Sequence, residues 1–449
     1  MSESFSDTPL INFLSTFFTP ALSPLAQNSA FPARARLFCD QRLLGVLPVD
    51  LRGHCEWLGA SGAVLLASAC GAAMAEEPRG GRVLAVVPAS ALSDPALLAA
   101  ATLAVRLHAT ALTLAVVTDG PVVPVVPGDS AIITPLIELG WRHAGAGPVV
   151  LAFAPGDGAL IPPLTKKRHE WQPVHLRTLL PGTLPPWPVD GASLPPAAAS
   201  DWLAWLAIRE PDLVVANLAA GWREQPPGPA LLCALAQLAG EGRRVCWRVP
   251  SGTDVRPWLD AMQEIGRRGL ALKLLVNAND LPLRPHLAPL TGWWVMVPAD
   301  TNEAAAMMAH ALDSEDPVMI GLPPTIQVKL PPWPAKQAYH PGRGRWLKTG
   351  AAATLVCDQR TLAVTAAAAV VLGNDGVHLG VLLCTSVLPL PVGDLDRAGS
   401  GPLMACGNDL GIALASAMTD HDVRVHIVSN VGSAEAIVTA VRKILGPAS

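Results

Sequence analysis

The sequence predicts an α/β protein of three consecutive doubly wound units with mainly parallel sheets. Three observations carry the prediction. Uniformly apolar runs of strand length, such as RVLAVVP (82–88), alternate with longer apolar runs of helical length. Strands without polar alternation are buried on both faces, as in parallel sheets covered by helices. Two proline-rich stretches, PGTLPPWPVDGASLPPAAA (181–199) and LPPWPAKQAYHPGRG (330–344), divide the chain into three such blocks, and this composition reads as linker. Finally, 449 residues that are 51% hydrophobic and 15% charged supply ample apolar material for more than one core.

Six of the seven phenylalanines lie in the first 38 residues. Phe5, Phe13, Phe17, Phe18 and Phe31 belong to residues 1–34, and Pro9, Pro20, Pro24 and Pro32 prevent one long helix there. So many exposed aromatics are costly, so the segment reads as an arm lying on its own domain or docking on a neighbouring subunit. The first unit, 35–190, follows. GASGAVLLASACGAAMA (59–75) predicts a closely packed small-residue helix and RVLAVVP a strand. DPALLAAATLAVRLHA (94–109) predicts a helix with Asp94 as N-cap and Pro95 in the first turn. ALTLAVVTDG (111–120) is the next strand. The second unit, 195–328, contains a helix over 201–208, a strand over 211–218, a helix over 230–242 and a strand over 243–249. It ends in a strand–loop–helix–strand run over 292–323. The third unit, 340–449, has strands over 353–358, 378–385, 402–407 and 424–432 with apolar helices between them. Its TLAVTAAAAVVLG run (361–373) is too short to cross a bilayer and predicts a buried helix.

Composition excludes several function classes. The net charge of −4 gives no basic footprint for nucleic acid. The eight cysteines are scattered without C-x-x-C spacing, so a reduced, cytoplasmic chain is expected and not a disulfide framework or zinc site. The eleven histidines form no metal-ligand cluster. The low charge and high apolar content point to self-association. No transmembrane segment or secretory signal is expected. GRGRW (342–346) with Lys348 is a small basic cluster that reads as an anion site or a solvated linker. EEPRGGR (76–82) reads as a helix end and turn, His421 and His426 as surface groups, and Lys166 to His169 as a solvated helix face.

Several stretches occur in a telling order: GASGAVLLASACGAAMA, LIELGW (136–141), PVHLRTLLPGTLPP (173–186), WWVMVPADTNEAAAMMAHAL (293–312) and YHPGRG (339–344). In that order they resemble segments of the transketolase family, deoxyxylulose phosphate synthase above all. The resemblance implies three α/β domains in transketolase order. It also implies an intimate dimer binding thiamine diphosphate and Mg²⁺ between the first domain of one subunit and the middle domain of the other.

The residues that the family uses for that cofactor are the ones this sequence lacks. Gly156-Asp157-Gly158 looks like the motif that opens the metal site, but it falls where the family has its DGHD segment. No asparagine occurs between Gly158 and Asn217 to supply the second oxygen ligand. In the resembling register the metal-binding aspartate falls on Pro88, which has neither carboxylate nor backbone N–H. Asp119-Gly120 stands in place of the family's Asp-Asn. The glutamate that activates the cofactor falls on Gly228, and Glu224 reaches its place only through an insertion. The expectation is therefore a catalytically inactive transketolase-like protein that binds no cofactor and acts as a self-associating structural or scaffold component, a dimer or a filament. The alternative is a divergent thiamine diphosphate enzyme, or one subunit of a split enzyme, with Asp119, Asp157 and Glu224 recruited. A genuine homologue or a co-encoded protein is a further candidate partner.

Overall fold

A computed structural model of the chain describes residues 35–43, 55–56, 62–117, 134–142, 148–153, 214–216, 228–249, 252–282, 284–322, 339–396, 401–421 and 423–446. The Phe-rich arm, the 156–158 turn, Asp119, Gly120, Lys166 to His169, the 201–208 helix and Glu224 lie outside these residues. By contacts the chain divides into two units, the first comprising 1–176 and 217–245, the second 177–216 and 246–449.

The first unit holds a five-stranded, fully parallel sheet in the order β2-β1-β3-β4-β5. Its strands are β1 (Ala35–Cys39), β2 (Cys55–Glu56), β3 (Arg82–Pro88), β4 (Leu112–Val117) and β5 (Val149–Phe153). Central β3 is buried at every residue but Arg82, as its uniform apolarity requires. Helices α1 (Gly62–Glu76), α2 (Pro95–Arg106) and α3 (Thr134–Glu138) lie between the strands. Asp94 caps α2 by accepting from Ala96 N–H at 2.8 Å, with Pro95 at the first helical position. α1 is buried on nearly all sides. It packs on α4 (Pro229–Gly240) so closely that a methyl at Gly71 would stand 1.9 Å from Ala234 O. Arg36 on β1 bridges Glu56 on β2 and Glu241 at the end of α4.

The second unit holds two sheets. One has the order β14-β9-β10-β8-β7-β6. It is formed by β6 (Val214–Ala216), β7 (Val245–Arg248), β8 (Lys273–Asn277), β9 (Trp294–Met296), β10 (Val318–Leu322) and β14 (Ser386–Leu388). Pairs β7–β8, β8–β10 and β10–β9 are parallel, and β14 is antiparallel to β9. Helices α5 (Leu259–Arg267), α6 (Arg284–Leu287) and α7 (Thr301–Asp313) accompany it.

The other sheet has the order β11-β13-β12-β15-β16. Its strands are β11 (Arg345–Lys348), β12 (Ala353–Cys357), β13 (Leu379–Leu383), β15 (Leu403–Cys406) and β16 (Val425–Val428), parallel except β11. Its helices are α8 (Leu362–Asn374), α9 (Val392–Leu395), α10 (Asn408–Ala417) and α11 (Ala434–Leu445).

Two departures from the sequence reading stand out. Directly after β13 the chain leaves its own sheet and adds β14 to the preceding one, which apolar periodicity does not register. The run read as a buried helix is α8, but only one face is buried: Val370 is 63% and Val371 44% exposed. Thirteen residues without a single charge give no amphipathic signal for choosing the inner face. All eight cysteines are buried and free of disulfides. Among the described residues no helix is long and apolar enough to cross a membrane.

Candidate functional site

In an open parallel sheet, ligands sit beyond the carboxyl ends of the strands where the strand order reverses. The first sheet reverses between β1 and β3, since β2 lies on one side of β1 and β3, β4 and β5 on the other. Its carboxyl ends there carry Asp40, directly after β1, and Pro88, the last residue of β3. The backbone brings them together: Asp40 N–H donates to Val86 O at 2.9 Å.

The chemistry at this switch point is self-contained. Asp40 is 2% exposed. Its Oδ1 accepts from Arg42 N–H at 3.0 Å and Arg42 Nε at 2.9 Å, and its Oδ2 from Arg42 Nη2 at 3.0 Å. The first residue of α1 is nearby: a methyl at Gly62 would come 3.4 Å from Asp40 Oδ2 and 3.0 Å from Leu97 Cδ1. A helix N-terminus favours an anion, and here the protein's own carboxylate stands close to it. After Pro88 the chain enters a 3₁₀ turn, Ala89–Ser93, that buries Ala91 and Leu92. Mg²⁺ requires several oxygens in octahedral array. Of the described residues at this edge, Asp40 supplies a carboxylate already engaged by a guanidinium, and Pro88 supplies neither a side-chain oxygen nor an N–H. This donor set does not fit a metal-bound diphosphate. Sequence reasoning identified Pro88 and missed Asp40 and Arg42. The signal was local, an Asp closing a strand with Arg two residues on, but sheet order is what gives it meaning.

The basic cluster of 342–346 has a different fate. Arg343 pairs with Asp394 at 3.1 Å. Arg345 Nη1 lies 2.6 Å from Asp300 Oδ2 and 3.2 Å from Glu303 Oε2. Gly344 N–H donates to Asp394 Oδ2 at 2.7 Å and Gly342 N–H to Ser386 Oγ at 2.9 Å. Arg345 is 8% exposed, so it is neither a solvated linker residue nor a free anion-binding one. Glu303 is fully buried and accepts from Ala299 N–H at 2.9 Å. Burial nonetheless holds its carboxyl above the usual range. Lys348 is exposed.

The remaining candidates resolve quickly. Glu76 and Arg79 pair at 3.5 Å where α1 ends, and Gly80 turns the chain at φ 67°. His421 Nδ1 lies 3.1 Å from Asp396 Oδ1. Lys273 donates from Nζ to the carbonyls of Ser314 and Asp316 at 2.7 and 2.5 Å, and burial lowers its pKa to about 8. The cavity beside it, lined by Cys246, Met308 and Ile320 among others, has room for about one water. Burial pushes the thiols of Cys70 and Cys246 up to about 12, the opposite of what a nucleophile needs.

No protein-family model matches the chain, and no curated protein sequence does. Solved structures do. Transketolase from Leishmania mexicana is similar with a TM-score of 0.68 and 12% identity, over 97% of this chain and 93% of that one. Transketolase from Campylobacter jejuni gives 0.63 and 12%, over 91% of each. A split-gene transketolase, described as an inactive β4 tetramer, aligns at 22% identity and TM-score 0.46 over 54% of this chain and 95% of its own. The sheets just described and the full-length matches agree on one conclusion: this chain has the transketolase fold.

Proposed function

We propose that this protein is a catalytically inactive member of the transketolase fold that works by associating with itself, as a dimer or longer polymer, in a structural or scaffolding role. In this reading residues 35–190, 195–328 and 340–449 are the counterparts of the three domains of transketolases, and residues 1–34, with Phe5, Phe13, Phe17, Phe18 and Phe31, form an assembly arm. The observation that carries it is the switch point of the first sheet. Pro88 stands where the resemblance puts a metal-binding aspartate, and the neighbouring Asp40 is committed to Arg42. A diphosphate there would meet the carboxylate of Asp40, which already occupies Arg42, and at Pro88 a residue with no backbone N–H. What the fold retains is surface, and its composition of 51% hydrophobic and 15% charged residues suits association. Eight buried free thiols support a reducing, cytoplasmic setting.

Isothermal titration of the full chain with Mg²⁺ and thiamine diphosphate tests the reading. The expected result is no saturable heat, and no two-carbon transfer from a ketose phosphate. Saturable binding, or an activity that Glu224→Ala abolishes, would reinstate the divergent enzyme.

A further inference from the structure

The third sheet has a reversal of its own. β13 lies on one side of β12, and β15 and β16 lie on the other. The strand order therefore turns back between β12 and β15, where an open sheet takes ligands beyond its carboxyl ends. The walls of this crevice are the turn after β12, Asp358 to Thr361, and Gly407 to Asp409, where α10 begins. A methyl at Gly407 would find no atom outside its chain neighbours closer than Thr361 Cγ2, at 3.8 Å. Gly407 holds φ at 108°, a value that glycine adopts readily. Asn408 beside it is exposed, so the backbone here faces open space.

Arg284, on α6, lies across this crevice. Its backbone N–H donates to Asp409 Oδ1 at 2.9 Å, at the start of α10. Its Nη1 reaches Cys384 Sγ, just past the end of β13, at 3.9 Å. The side chain thus runs over the carboxyl end of β12, the strand between β13 and β15. Arg284 is 7% exposed. A guanidinium is a fork of N–H donors, and the weakly accepting thiol of Cys384 is its one polar partner among the described residues. Buried charges are ordinarily paired. The two carboxylates of the crevice are engaged elsewhere: Asp409 Oδ1 with the Arg284 main chain, and Asp358 Oδ1 with Thr361 N–H and Oγ1, each at 3.1 Å. The first turn of α10 is open as well. Its N-cap is Gly407, and no side chain caps the N–H groups of Asn408, Asp409 and Leu410.

We propose that this crevice binds a single phosphate group, as the free ion or as a small phosphate monoester, with the Arg284 guanidinium and the first-turn N–H groups of α10 donating to its oxygens. The two donor sets identify the class. The planar fork of arginine matches two oxygens of a phosphate, and a helix start favours an anion. A carboxylate has too few oxygens to satisfy both sets at once. The carboxylates of Asp358 and Asp409 flank the crevice and repel a second phosphate, so the site suits one phosphate and disfavours a diphosphate. All of its residues belong to the second unit.

The test titrates the full chain, in buffer free of Mg²⁺, with inorganic phosphate, glycerol 2-phosphate or acetate, each against chloride at matched ionic strength. Melting temperature and hydrogen exchange of the 407–411 amides are read. Both phosphates should raise the melting temperature saturably and protect those amides, and acetate should not. The tighter of the two phosphates names the source of the group. Arg284→Met should weaken phosphate binding by about tenfold or more. Asn408→Pro should weaken it by removing one N–H while keeping the fold, because proline suits the first helical position. Circular dichroism reports folding, and if Arg284→Met unfolds, Asn408→Pro and the parent's amides decide. A parent unmoved by both phosphates, or folded variants that bind as tightly, overturns the site. A rise that never saturates and that the variants share is the general effect of phosphate on hydration, and overturns it too. An acetate response equal to that of phosphate overturns the ligand class.

Discussion

Arg345 is the residue on which most local chemistry converges. It is 8% exposed and faces Asp300 and Glu303, of which Glu303 is wholly buried. Removing one partner of a buried pair leaves an uncompensated charge, which costs about 3–5 kcal/mol. Arg345→Met should therefore lower the unfolding free energy of the protein by that order at neutral pH, read from urea midpoints. The pH dependence follows from Glu303. Its folded-state pKa is already raised by burial, so the stability linked to its neutral form is present below the unfolded value and is lost as pH rises through the folded one. Losing the Arg345 cation raises the folded value further. The deficit of Arg345→Met should accordingly shrink as the urea titration is moved from neutral to mildly acidic pH. Asp40 and Arg42 make the contrasting case. Their bond is spaced two residues apart and was within reach of the sequence, but nothing in FCDQR says that β1 lies beside β3. Residue chemistry was legible and residue location was not.

At the scale of elements, strand and helix positions were largely written in the apolar runs. β3 covers RVLAVVP as read, and Asp94 caps α2 as its side-chain chemistry requires. β1, β2, β8, α5 and β14 were not read, and β14 is the instructive case. Three residues, SVL, follow β13 with only Cys384 and Thr385 between, so periodicity sees one continuous apolar stretch. Their pairing with β9 is non-local and leaves no local trace. The strand is pinned by Ser386, whose hydroxyl accepts from Gly342 N–H at 2.9 Å and donates to Pro389 O at 2.6 Å. Ser386→Ala would strand a backbone donor at a part-buried position, for about 1–3 kcal/mol. The expected outcome is a lower melting temperature, together with faster hydrogen exchange of the Gly342 and Gly344 amides than in the parent, while the amides of β12 keep their relative order.

For the molecule as a whole, the second and third sheets are knit by more than a linker. β14 belongs in sequence to one and in pairing to the other. Arg345 reaches Asp300 and Glu303. Arg284 N–H donates to Asp409 Oδ1 at 2.9 Å across the same boundary. These two sheets should lose protection together: in native-state hydrogen exchange with rising denaturant, β8, β10, β12 and β15 should merge into one cooperative opening. Separate openings for the two pairs would show that the shared strand and ion pairs do not couple them. The α/β class with mainly parallel sheets was legible because uniformly apolar strand-length runs are local signals. The coupling was not, because it resides in pairings between residues 42 or more positions apart, as for Arg345 and Glu303. α4 carries a last consequence. Residues 217–245 return to the unit that begins with residue 1, after the chain has already supplied 177–216 to the other. Neither unit is therefore a contiguous span of the polypeptide. Cutting the backbone anywhere between 177 and 216 would produce pieces that must find each other again before Gly71 has Ala234 to lean on, so anyone dividing this gene for expression should co-produce both halves.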